Sequence, residues 1–132
     1  MVRLLTPRRL AALVLAALTL AAAGASPALA GDALKGKQVF SQQCSTCHAA
    51  AKGAAPILGP TLWGVVGRPT ATLPGFAYSK AMKGAGGVWD EARLRTYLPG
   101  PQKLIPGIRM TYPGLKNPAQ LDDLIAYLKT LK

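Results

Sequence analysis

The sequence predicts a small all-α fold in which a few helices are joined by long Gly- and Pro-rich loops. Three stretches have the periodicity or the capping residues of helices, and no stretch has the alternation typical of strands. The loops between these stretches hold most of the 14 glycines and 11 prolines of the 132-residue chain. With so much irregular backbone, the chain buries only a modest core by itself.

The first helix is predicted at Ala33–Gln43, with Leu34, Val39 and Phe40 on roughly one face. The segment Cys-Ser-Thr-Cys-His follows it at 44–48 and contains both cysteines and the one histidine of the chain. Two thiols at this spacing can each add across a vinyl group of one haem, and the next histidine can bind its iron. The sequence therefore predicts helices and loops wrapped around one covalent haem, without which we expect the chain to be poorly folded.

Other uses of two cysteines at this spacing fit less well. A structural zinc site needs a second pair of ligands, which the sequence lacks. A thioredoxin-like redox motif is expected within a βαβ pattern, and none is visible. A disulfide between Cys44 and Cys47 stays open, although it would leave His48 without a role.

Two helices and one shorter helix are predicted after the haem motif. Residues 89–98 have acidic side chains near their start and end before Pro99, and a shorter helix is expected around residues 79–83. In residues 117–132, Asn117 can cap the helix, and Pro118 suits its first position. One apolar stripe follows at helical spacing, formed by Leu121, Leu124, Ile125, Leu128 and Leu131.

The N-terminal residues 1–30 are predicted to be a signal peptide, and residues 31–132 one domain. The segment begins with the positive residues Arg3, Arg8 and Arg9, and residues 10–23 that follow are uncharged. Ala28 and Ala30 then place small side chains at the two positions that a signal peptidase recognises. We expect cleavage after Ala30, location in the periplasm and no stable membrane insertion afterwards. The alternative is an anchor that is never cleaved.

The chain is strongly basic, with a formal net charge of +11 and five acidic residues. A basic exported protein can meet nucleic acid, a membrane or an acidic protein surface. Nucleic acid is disfavoured outside the cytoplasm, and the lysines are scattered singly rather than in a run. We expect the partners to be acidic docking surfaces of membrane or periplasmic redox proteins.

The second axial ligand of the iron is expected to be a methionine, since the chain has no second histidine. Beyond the leader only Met82 and Met110 remain, and a lone methionine is more often core filler. Met110 lies in a loop bounded by Pro and Gly residues on both sides, at 105–107 and 113–114, which suits a fixed ligand. His/Met ligation raises the haem potential and closes the iron to outside ligands, which is typical of electron transfer.

Taken together, these segments resemble class I cytochrome c, both its bacterial periplasmic and its mitochondrial-type monohaem members. The matching segments, in order, are 36–40, 44–48, 59–62 with Gly67 and Arg68, 75–78, Trp89, Tyr97, 105–107 with Met110, and 124–128. The resemblance implies the cytochrome c fold over residues 31–132. It also implies a haem-binding set with His48 and Met110 on the iron: Cys44, Cys47, His48, Pro60, Arg68, Tyr78, Trp89, Tyr97 and Met110.

The resemblance further implies roles for these side chains. The Pro60 carbonyl accepts a hydrogen bond from His48, and Tyr97 lies near the sulfur of Met110. The residues expected around a buried propionate are Arg68, Tyr78 and Trp89, and those expected at the crossing of the terminal helices are Gly36, Phe40, Leu124 and Tyr127. Two positions depart from the family pattern, because Met82 and Ile108 replace polar residues near the haem.

The function implied is a soluble, monomeric carrier of single electrons between respiratory or photosynthetic partners, with no catalytic residues. A peroxidase needs an open iron site and a distal base, and a gas sensor needs a five-coordinate iron. A closed His/Met site disfavours both. The alternatives that stay open are a haem subunit of a periplasmic dehydrogenase or oxidase, and a carrier tethered by an uncleaved N-terminal anchor.

Overall fold

A computed structural model of the protein describes residues 30–132, so the predicted leader lies outside the described residues except for Ala30. Five helices occur in this order: α1 Ala33–Gln43, α2 Lys80–Gly84, α3 Glu91–Tyr97, α4 Pro101–Leu104 and α5 Pro118–Thr130. Across residues 30–132 the only strand-like pairing is an isolated bridge between Pro69 and Val88. The prediction of an all-α fold is confirmed. No helix in this part of the chain is long and apolar enough to span a membrane.

Helix α1 has the predicted bounds because both of its ends are capped. The Asp32 carboxylate accepts hydrogen bonds from the first-turn amides of Leu34 and Lys35, at 2.8 and 3.3 Å. Cys44 is the C-cap, so the haem-binding segment starts where the helix stops. The placement of Leu34 on the buried face is wrong, since its side chain is 78% exposed. Leu34 precedes Val39 by five positions, which turns it about 140° away around the helix.

Helix α5 also matches the expected pattern. The Asn117 side chain accepts from the amides of Ala119 and Gln120, and Pro118 occupies the first turn. The predicted stripe faces the core, with Leu124 and Ile125 each 1% exposed and Leu128 2%. Leu131 is also buried, and Leu121 is half-buried.

Helices α1 and α5 cross at close range, which fixes the helix that leads into the haem motif. Gly36 makes this approach possible, since a Cβ added there would come within 2.8 Å of the Tyr127 Cβ and closer still to the Asp123 carbonyl oxygen. The rings of Phe40 and Tyr127 pack beside this point with centroids 5.5 Å apart. The crossing expected from the family resemblance is therefore present.

The three short helices lie between these two. Ser79 caps α2, and Asp90 caps α3 by accepting from the amide of Arg93 at 2.8 Å. Helix α3 starts later than predicted because its N-cap Asp90 has extended backbone, and the Trp89 amide before it donates to the Arg68 carbonyl at 3.0 Å. Helix α4 was not predicted. It is a single turn that begins with Pro101 after Gly100.

Candidate functional site

The haem-attachment segment forms a tight turn at the end of α1. The amides of Cys47 and His48 both donate to the Cys44 carbonyl, at 3.0 and 2.9 Å. Both cysteines are half-buried, and no disulfide joins them. Burial, with a smaller contribution from Cys47, raises the pKa of the Cys44 thiol to about 11. The turn thus presents two neighbouring thiols and an imidazole from one short stretch of backbone.

The imidazole of His48 is oriented by one hydrogen bond. Its Nδ1 lies 2.7 Å from the Pro60 carbonyl oxygen. A carbonyl can only accept, so Nδ1 carries the proton and Nε2 keeps a free lone pair. Burial is the main cause that lowers the pKa of His48 below its usual value of 6.5, which favours the neutral ring that a metal binds. His48 is therefore prepared as a ligand through Nε2.

Gly59 allows the loop before Pro60 to lie against this ring. A Cβ added at Gly59 would come within 2.7 Å of Nδ1 and 2.9 Å of Nε2 of His48. The Gly59 amide also donates to the Cys47 carbonyl at 2.8 Å. The loop and the haem-attachment turn are thus held as one unit, and only glycine fits at their contact.

Met110 is held by a second group of residues. The hydroxyl of Tyr97 donates to the Met110 sulfur at 3.4 Å. Tyr97 is 6% exposed, and its ring packs on that of Trp89 with centroids 4.7 Å apart. Burial raises the pKa of Tyr97 to about 12, so the hydroxyl stays protonated and remains a donor. The thioether therefore has a fixed, buried donor beside it.

Gln102 is a residue that the sequence reasoning missed. Its side-chain amide nitrogen donates to the carbonyls of Ile108 and Met110, at 2.8 and 2.9 Å. Gln102 lies on α4, the helix that was not predicted, and so that helix secures the loop that carries Met110. A glutamine after Gly-Pro gives no sequence signal for this role, because its partners are backbone atoms brought close by the fold.

Arg68, Tyr78 and Trp89 were expected around a propionate. The guanidinium of Arg68 donates to the carbonyls of Thr61 and Trp63, at 2.9 and 3.2 Å, and is half-buried. Burial is the main cause that lowers its pKa, and the nearby Tyr78 opposes this effect. The Arg68 carbonyl accepts from the Trp89 amide. Arg68 and Trp89 thus lie in hydrogen-bonded segments, with Tyr78 near the guanidinium, and backbone carbonyls orient the Arg68 charge.

Met82 and Ile108 line the same region without adding polar partners. Ile108 is 6% exposed and belongs to the buried core. Met82 lies on α2, is half-buried and packs against that core, as Met110 does. A second thioether thus packs against the same core as Met110, which makes Met82 the natural comparison for any test of Met110.

The residues present fit a haem. One imidazole nitrogen, one thioether and two thiols provide the donors and attachment points of a c-type haem. Nε2 of His48 is free, and the Met110 sulfur is oriented by Tyr97. Within residues 30–132 no three His, Cys, Asp or Glu side chains cluster as a separate metal site.

Four of the five acidic residues take part in ion pairs or hydrogen bonds that link α1, α3 and α5. Glu91 pairs with Arg95 and Lys129 at 3.0 and 2.9 Å, and Arg95 also pairs with Asp122. Asp123 accepts from the amide of Asp32 at 2.7 Å. These contacts join the acids to one another through α1, α3 and α5. Four basic residues outside these ion pairs are all exposed: Lys52, Lys103, Arg109 and Lys116.

Comparison with known proteins gives a consistent result. The family model described as "Cytochrome c" matches residues 33–132. The chain is 46% identical to a cytochrome c of Sesamum indicum, over 70% of this chain and 84% of that protein. It is 48% identical to a cytochrome c of Chlamydomonas reinhardtii, over 70% of this chain and 83% of the relative. A cytochrome c2 of Rhodoplanes tepidamans is 46% identical, over 66% of this chain and 81% of its own length.

Proposed function

The chain belongs to the cytochrome c family and is a haem electron carrier, and from this premise we propose that it works in the periplasm as a diffusing shuttle between respiratory or photosynthetic redox proteins. Its haem c is covalently attached through Cys44 and Cys47. When attached, the haem supplies an iron that takes up and releases one electron. The observation that carries the proposal is the pair of oriented donors, His48 and Met110.

His48 and Met110 are the proposed iron ligands. The hydrogen bond from Nδ1 to the Pro60 carbonyl fixes the ring and leaves Nε2 for the metal. Tyr97 and Gln102 hold Met110 from two directions, through its sulfur and through its carbonyl. Because His48 and Met110 would both hold the iron from fixed backbone, little would have to move when the redox state changes. This arrangement favours electron transfer over chemistry on a bound substrate.

The proposed partners present acidic surfaces. Four exposed basic residues form none of the ion pairs found within residues 30–132: Lys103 on α4, and Lys52, Arg109 and Lys116 on loops. The acids are instead engaged at helix starts and between α3 and α5. Such an asymmetric charge steers association with an acidic surface mainly through the encounter rate.

Salt dependence tests this docking proposal. Delivery of electrons to an acidic redox protein should slow as added salt screens the charges. Reversing the charge of Arg109 or Lys103 to Glu should slow delivery more than the same change at Lys132, which is the C-terminal control. Equal effects at the three positions, or a rate that ignores salt, would argue instead for a permanently bound haem subunit of a dehydrogenase or oxidase.

The mature chain is proposed to start at Gly31. Support comes from the folded part, where Gly31 is pressed against α5 so closely that an added Cβ would lie within 2.6 Å of the Asp123 amide nitrogen. The packed structure thus already includes residue 31, which follows the small residues expected at a peptidase site. Intact-mass analysis of the periplasmic fraction should show residues 31–132 plus one haem. Full-length chain in the membranes would favour the tethered alternative.

A further inference from the structure

The side chain of Arg93, on α3, is half-buried and belongs to none of the ion pairs within residues 30–132. The other basic residue of this helix, Arg95, is exposed and pairs with Glu91 and Asp122. An unpaired charge that is partly withdrawn from water is costly unless other groups stabilise it. The surroundings of the Arg93 guanidinium therefore need a physical explanation.

The guanidinium of Arg93 is packed into the loop that precedes α3. A Cβ added at Gly87 would come within 3.2 Å of Cζ and closer still to Nη1, so the glycine leaves the space that the charged group fills. Nη2 makes only a long hydrogen bond of 3.5 Å to the Ala85 carbonyl, and Nε is buried without a partner. The protein thus holds the charge in place without neutralising it.

The two acids just before Arg93 are both occupied elsewhere. Asp90 is exposed to water, which screens its charge, and its carboxylate accepts from the backbone amide of Arg93 at 2.8 Å as the N-cap of α3. Glu91 pairs with Arg95 and Lys129. The Arg93 guanidinium therefore keeps its positive charge uncompensated by either carboxylate.

Two aromatic rings connect this charge to the proposed iron ligand. The Cζ of Arg93 lies 5.1 Å from the centre of the Trp89 ring, a cation–π contact. Trp89 packs on Tyr97 with centroids 4.7 Å apart, and the Tyr97 hydroxyl donates to the Met110 sulfur at 3.4 Å. Both rings are buried, so the path from charge to sulfur runs through the protein interior.

We propose that Arg93 raises the reduction potential of the haem iron. The inference rests on the proposed His48/Met110 ligation and adds a residue that tunes the same site. Oxidised iron carries one more positive charge than reduced iron, so a fixed cation nearby disfavours the oxidised state. Arg93 touches neither ligand, and its charge acts across the rings of Trp89 and Tyr97.

The size of the effect follows from the length of this path. Followed through the contacts, the distance from the Arg93 Cζ to the Met110 sulfur is at most about 16 Å. At that distance and an effective dielectric constant of about 20, two unit charges repel enough to change an equilibrium constant about fivefold. For a one-electron couple, a fivefold change corresponds to about 40 mV.

Voltammetry of the holoprotein tests the proposal with two substitutions at one position. Arg93→Met keeps a long side chain but removes the charge, so the reduction potential should fall by about 40 mV. Arg93→Lys keeps the charge and can still lie over the Trp89 ring, so its potential should stay close to that of the wild type. Arg93→Gln is a second uncharged variant, which should show the same fall and serves if Arg93→Met does not fold.

Arg95→Met is the matched control. It removes the same charge from the same helix, at a position that is exposed and paired with two acids. Its potential should stay close to that of the wild type. The difference between the wild type and Arg93→Met should also persist between about 0.01 and 1 M NaCl, because partly buried charges are screened less than exposed ones.

Binding of carbon monoxide to the reduced protein separates an effect of charge from an effect on ligand geometry. Arg93→Met should exclude carbon monoxide as the wild type does, since the proposal leaves Met110 in place. Carbon monoxide binding to this variant would mean that Arg93 supports the packing around Met110, and it would overturn the proposal.

Three other results would also overturn the proposal. An unchanged potential in Arg93→Met, with lower stability in guanidinium titration, would make the residue purely structural. An equal fall in Arg93→Lys would point to packing, and an equal fall in Arg95→Met would point to net charge. A wild-type holoprotein without a reversible one-electron wave would instead count against the carrier function itself.

Discussion

The close contact between α1 and α5 predicts that the substitution Gly36→Ala destabilises the protein. By helix propensity alone, alanine should stabilise a helix interior by about 0.8–1 kcal/mol relative to glycine. At Gly36, however, the new Cβ would lie within 2.8 Å of the Tyr127 Cβ and nearer still to the Asp123 carbonyl oxygen. Since carbon atoms in contact lie about 3.5–4.0 Å apart, the helices must separate by about 1 Å.

The steric cost should exceed the propensity gain. Overpacking of a buried contact costs about 1–3 kcal/mol, and this site belongs at the upper end because the obstructing atoms include rigid backbone. The net effect should be a loss of about 2 kcal/mol in the free energy of unfolding. For a domain of this size that corresponds to a fall in Tm of about 8–16 °C.

Guanidinium titration of the holoprotein, followed by far-UV circular dichroism, measures the change. Gly84→Ala is the matched control, because Gly84 is also helical but an added Cβ there meets no atom within 4 Å. The control should match the wild type or exceed it slightly. A Gly36→Ala protein as stable as the Gly84→Ala protein would refute the reasoning about the helix crossing.

Two further predictions concern hydrogen bonds and ion pairs. Tyr97→Phe removes the donor to the Met110 sulfur, which should strengthen the thioether as a ligand of oxidised iron. A hydrogen bond that stabilises one redox state by about 1 kcal/mol shifts the reduction potential by about 40 mV. Voltammetry should therefore show a reduction potential that is lower by up to this amount, and an unchanged or higher potential would contradict the role of Tyr97. Lys129 and Arg95 lower the pKa of Glu91 below its ordinary value of 4.5. The two ion pairs of Glu91 therefore stabilise the fold above pH 4.5, and this stabilisation is lost as the pH falls through the lowered pKa. Because these ion pairs are exposed, Glu91→Gln should lower the free energy of unfolding at pH 7 by less than about 1 kcal/mol. Denaturation measured at several pH values should show that the difference from the wild type shrinks in acid.

Local signals explain why the starts of α3 and α5 could be predicted to within about two residues. The acidic side chain of Asp90 and the capping side chain of Asn117 act over two or three residues, so both signals are visible in the sequence itself. The apolar stripe on α5 could likewise be predicted, because its residues recur at helical spacing in the sequence. The assignment of Leu34 to the buried face failed because it treated a five-residue offset as one face of the helix.

The remaining features depend on contacts between distant segments. The hydrogen bonds from His48 to Pro60 and from Tyr97 to Met110 were expected only through the family resemblance, since no periodicity connects those positions. Helix α4 is a single turn with no apolar repeat, and the part played by its Gln102 depends on two carbonyls further along the chain. The ion pairs between α3 and α5 also need the fold before they can be seen.

The proposed His48/Met110 ligation is tested most directly by the binding of carbon monoxide to the reduced holoprotein. Met110 and Met82 are both half-buried thioethers packed against the same core, so Met82→Ala is the control for Met110→Ala. Met110→Ala should open the iron to carbon monoxide and lower the reduction potential, because the methionine ligand raises it. Met82→Ala should leave both properties as in the wild type. Carbon monoxide binding in Met82→Ala and not in Met110→Ala would show that the ligand assignment is wrong.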